Sequence, residues 1–62
     1  MKAKRINEFD VIITGTNAAF IKALRAGGLK AWKLDEKAYQ VSFAGRPELR
    51  AELPPVGTEY RI

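Results

Sequence analysis

From Phe9 to Phe43 the apolar residues change period twice, and that switch limits what this chain can fold into. Phe9, Val11 and Ile13 alternate with Asp10, Ile12 and Thr14, the two-residue period of a β-strand. Gly15 interrupts it, and Thr16 or Asn17 stands where a side-chain oxygen caps a helix. Phe20, Ile21 and Leu24 then share one helical face, and Gly27-Gly28 ends the helix after about Ala26. Alternation returns in Trp32 and Leu34 and again in Tyr39, Val41 and Phe43. A turn at Asp35-Glu36-Lys37-Ala38 would pair Leu34 with Tyr39 and Trp32 with Val41, gathering these residues on one face. It contains no glycine, so a loop built on a type I turn fits better than a primed turn.

The last third is shorter in its signals. Pro47 and Glu48 suit the first turn of a helix, Leu49 and Leu53 lie one turn apart, and Pro54-Pro55 stops it. Val56, Tyr60 and Ile62 fall at even spacing, which predicts a terminal strand. The order predicts an α+β fold: a small ferredoxin-like βαββαβ sheet with helices packed on one face. Without the terminal strand the fallback is a three-stranded sheet plus one or two helices. The expected core is Phe9, Val11, Ile13, Phe20, Ile21, Leu24, Trp32, Leu34, Tyr39, Val41, Phe43, Leu49, Leu53 and Tyr60. Residues 1–7, MKAKRIN, are polar and basic and are expected to form a flexible basic arm, with 8–62 as a single α+β domain.

With 62 residues and neither cysteine nor histidine, the chain has no route to disulfides, thiolate zinc sites or imidazole ligands. A domain this small buries only roughly 60% of its unfolded surface, so a compact core or a homo-oligomer must hold it. The same absences remove the usual general base and the thiol nucleophile. Hydroxyls are limited to Thr14, Thr16, Ser42, Thr58, Tyr39 and Tyr60, and the carboxylates are scattered among cations. The expectation is a protein that is not an enzyme, with no catalytic residue, cofactor or metal. Glu8 and Asp10 break the apolar stretch a secretory signal would need, and Val11-Ile12-Ile13 is far too short to span a membrane. A cytoplasmic location without membrane association is therefore expected.

A formal charge of +4 directs attention to anionic partners. With Trp32, Tyr39 and Phe43 assigned to the core, the sheet's other face would show Ile12, Ala31, Lys33, Gln40, Ser42 and Arg61. Lys2, Lys4 and Arg5 of the arm, with Lys22 and Arg25 of the helix and Lys30 beyond it, would add charge to that surface. The leading expectation is a small binding module, a protein–protein interaction or regulatory protein that self-associates with Ile12 at its contact. Its size and basic charge suit a protein encoded by a phage or other mobile element. The alternative is a sequence-tolerant DNA- or RNA-binding protein using the basic arm and the sheet face. On this reading that face carries no aromatic residue, which argues against a base-stacking sheet.

Overall fold

In the computed structural model, which describes residues 1–62, seven elements follow one another: β1 (Lys2–Arg5), β2 (Asp10–Thr14), α1 (Ala18–Ala26), β3 (Lys30–Asp35), β4 (Ala38–Ser42), α2 (Pro47–Arg50) and β5 (Glu59–Arg61). They form one five-stranded sheet in the order β3-β4-β2-β1-β5, antiparallel at every junction. The α+β class is as expected, but the ferredoxin-like arrangement does not form, because β1 stands between β2 and β5.

Lys2–Arg5 is thus a strand and no loose arm. Ala3 faces Ile13 on one side and Tyr60 on the other. Backbone pairing on both edges stabilises four residues whose own composition carries almost no strand signal. Asn7 closes the connection to β2: its Oδ1 accepts from the amides of Phe9 (2.9 Å) and Asp10 (2.8 Å), an Asx turn. Arg5 fixes the same corner, donating to the carbonyls of Pro54 and Glu8 at 2.8 Å and of Asn7 at 3.2 Å.

Asn17 is the helix cap. Its backbone is extended and its Oδ1 accepts from Phe20 N at 2.9 Å. At the other end Gly28 takes φ +94°, a conformation that favours glycine, and the chain turns back to bury Leu29. Arg46 ties this turn to α2 by donating to the Gly27 carbonyl and to Glu48. That hydrogen bond holds the Glu48 carboxyl below its usual value. α2 itself is a single turn.

The core lies between one sheet face and the helices. Ala3, Val11, Ile13, Ile21, Leu29, Tyr39 and Val41 are buried, and Phe20, Leu24, Phe43, Leu49, Leu53 and Tyr60 pack against them. Three expected core residues are outside it: Phe9, Trp32 and Leu34 are 42%, 50% and 53% exposed. Phe9 sits in the β1–β2 connection, where the Arg50 guanidinium lies 5.1 Å from its ring centre.

Trp32 and Leu34 are misplaced by a single residue. Asp35 does pair with Ala38 across a two-residue turn, but Lys33 pairs with Tyr39, leaving Leu34 as a bulge. Before it in the chain Trp32 faces Gln40 and Ala31 faces Val41, so every side chain of β3 that precedes Leu34 is on the face opposite to expectation. The cause lies in the turn. No residue other than glycine has positive φ, so Glu36-Lys37 cannot form a primed turn. An unprimed two-residue turn splays its strands, and the extra residue absorbs the mismatch.

A candidate binding face

Both helices cover the inner face, so the outer face of the sheet is open, and the register states what stands on it. Residues directly opposite across strands share a face. One row crosses the whole sheet: Trp32, Gln40, Ile12, Lys4 and Glu59. Below it run Lys30, Ser42 and Asp10; above it run Thr14, Lys2 and Arg61. With strands roughly 4.8 Å apart, the long row spans about 19 Å.

Trp32 is half exposed at one end of that row and Ile12 half buried at its middle. Lys2, Lys4, Lys30 and Arg61 are exposed, and none takes part in an ion pair. The carboxylates on this face are Asp10 and Glu59. Asp10 Oδ2 accepts from Gln40 Nε2 and from Asn7 Nδ2, each at 3.1 Å. Lys2 stands directly opposite Arg61, a like-charged pair that costs stability wherever nothing anionic relieves it. A shallow depression is lined by Lys2, Glu59, Tyr60 and Arg61.

The arginines divide sharply in role. Arg5, Arg25, Arg46 and Arg50 each hydrogen-bond a backbone carbonyl or a carboxylate within the fold, whereas Arg61 bonds neither.

Of the residues singled out from the sequence, Ile12, Gln40, Ser42, Lys4 and Arg61 meet on this face. Ala31 and Lys33 do not, since the bulge places them opposite the core residues Val41 and Tyr39. Arg5 is committed to the three carbonyls named above and is not a free cation of an arm. Lys22 and Arg25 lie on α1, across the sheet, and Arg25 Nη2 donates to the Ala31 carbonyl at 2.8 Å.

Trp32 is the face residue that the sequence reading assigns to the core. The glycine-free turn was the available signal, because it forecasts an irregular hairpin and hence a change of face.

A second depression is lined by Thr14, Gly15, Asp35, Glu36, Lys37 and Ala38. No group of three or more acidic side chains stands together as a metal site. No helix is long and apolar enough to cross a membrane. No family model matches the chain, and neither a curated protein nor a solved structure matches it.

Proposed function

We propose that the chain is a non-enzymatic binding module that engages an anionic macromolecule through the outer face of its sheet. The observation that carries this reading is the exposed Trp32 in one row with the half-buried Ile12, bordered by Lys2, Lys4, Lys30 and Arg61. The objection that this face lacks an aromatic side chain falls with the position of Trp32. A regulatory role is compatible with a module that acts only by occupying its partner.

A second reading, self-association through the same face, is favoured by Ile12 at its centre and opposed by charge. Four cations against two carboxylates would meet the same excess on a second copy. Substitution Ile12→Lys separates the two readings. It disrupts a homodimer, whereas a polyanion trades one apolar contact for an added cation and stays bound.

Trp32 is the only tryptophan, so its emission reports directly on the face. Titration at low salt with heparin and with oligonucleotides is expected to change that emission, and polylysine is not. If no polyanion perturbs Trp32 and sedimentation shows a dimer that Ile12→Lys dissociates, the anionic-partner reading is wrong and self-association replaces it.

A further inference from the structure

We infer that the polyanion is a single strand of nucleic acid, DNA or RNA, laid across the sheet with a base stacked on Trp32. The inference rests on the outer face being the binding surface, and it goes on to exclude the other common polyanions. Size excludes a groove reader. The major groove is about 12 Å wide and admits a helix or a two-stranded ribbon. Here the candidate residues span all five strands, roughly 19 Å across. The face cannot enter a groove as one surface.

The residue types then decide what lies on top. An exposed indole offers a π-face, and only unpaired bases present π-faces to match it. Ile12 continues the apolar path from Trp32 toward β1, and Lys4 follows it in the same row. Lys2 and Arg61 stand beside Lys4, so a strand whose base stacks at one edge has its backbone led to cations at the other. A phosphate between Lys2 and Arg61 also relieves their mutual repulsion, since neither cation is held in an ion pair within the fold. Of the polar side chains in the row, Gln40 has its amide nitrogen engaged by Asp10. Base identity is therefore read weakly, and the binding is tolerant of sequence.

The test uses the intact chain with a labelled twenty-nucleotide oligo(dT), oligo(U), a duplex of equal length and heparin, at 50 mM salt. Expected results are quenching of Trp32 by both single strands and clearly weaker binding of the duplex. Affinity for oligo(dT), followed by anisotropy of the labelled strand, falls about tenfold in Trp32→Ala, as loss of one stacked base requires. Heparin binding by that variant is unchanged. Contacts from four cations give a log–log salt slope of about −3, so raising salt to 200 mM weakens binding roughly fifty-fold.

Lys2→Glu supplies a variant that keeps the fold, because it replaces a repulsive cross-strand pair with an attractive one. It is expected to lose at least tenfold in affinity while its thermal midpoint does not fall. Lys22→Glu on α1 is expected to bind as the parent does. Equal binding of heparin, duplex and single strand, without dependence on Trp32, overturns the inference and leaves the polyanion reading standing. Absence of binding to every polyanion overturns both.

Discussion

Tyr60 shows how much one side chain of β5 is asked to do. It is half buried opposite Ala3, and burial pushes its phenol above the ordinary value of 10.0, while the nearby Arg5 charge pulls the other way. The folded chain therefore holds this proton more tightly than the unfolded chain. Its contribution is present in full below pH ~10, the unfolded value, and is lost as pH rises through the higher folded value. Urea denaturation at pH 8 and pH 11 is expected to show a drop in stability that Tyr60→Phe reduces. An identical drop in both proteins would mean that other groups govern the alkaline limit. The same residue faces its core neighbours from the outer edge of the sheet, next to the free Arg61. Outward, inward and outward side chains thus alternate along Glu59, Tyr60 and Arg61.

The hairpin of β3 and β4 is where an element, more than any residue, sets which side chains stand on the outer face. Deleting Leu34 removes the bulge yet leaves Lys33 opposite Tyr39 and Trp32 opposite Gln40. With its twist mismatch uncompensated, the deletion is expected to cost roughly 1 kcal/mol. Adding Asn-Gly in place of Glu36-Lys37 supplies a primed turn and should recover that loss. Trp32 emission stays that of an exposed indole in both variants. A blue shift would show that the apolar alternation, and not the bulge, dictates the register.

This element also marks the limit of what was legible beforehand. Val11, Ile13, Tyr39 and Val41 were readable as a core face because their own strands are regular. The α1 signals at Asn17 and Gly27-Gly28 were local and strong, and the helix runs between them. Lys2–Arg5 was not readable, since its strand character comes from neighbours remote in sequence and only the small Ala3 points inward. Trp32 was read onto the wrong face because a one-residue irregularity leaves the alternation of Trp32 and Leu34 intact while reversing its meaning.

At the scale of the whole molecule, the chain closes on itself. Ile62 N donates to the Met1 carbonyl at 3.2 Å, and Lys2 pairs with Arg61. For 62 residues the expected total stability is only about 3–9 kcal/mol, so this remote pairing is a sizeable part of the fold. A short Gly-Ser linker joining Met1 to Ile62, with the chain opened between the exposed Ala44 and Gly45, makes β5, β1 and β2 successive antiparallel neighbours. Lower contact order predicts faster refolding of this circular permutant, measured by stopped-flow far-ultraviolet circular dichroism. An unchanged rate would place β1–β5 docking after the rate-limiting step.

The same clasp sets the mechanical character of the protein. Because Met1 and Ile62 lie side by side on neighbouring antiparallel strands, tension applied through them peels β5 from β1 one hydrogen bond at a time. A zipper of this kind yields at low force, and the cations at its leading edge, Lys2 and Arg61, are the first to be drawn apart.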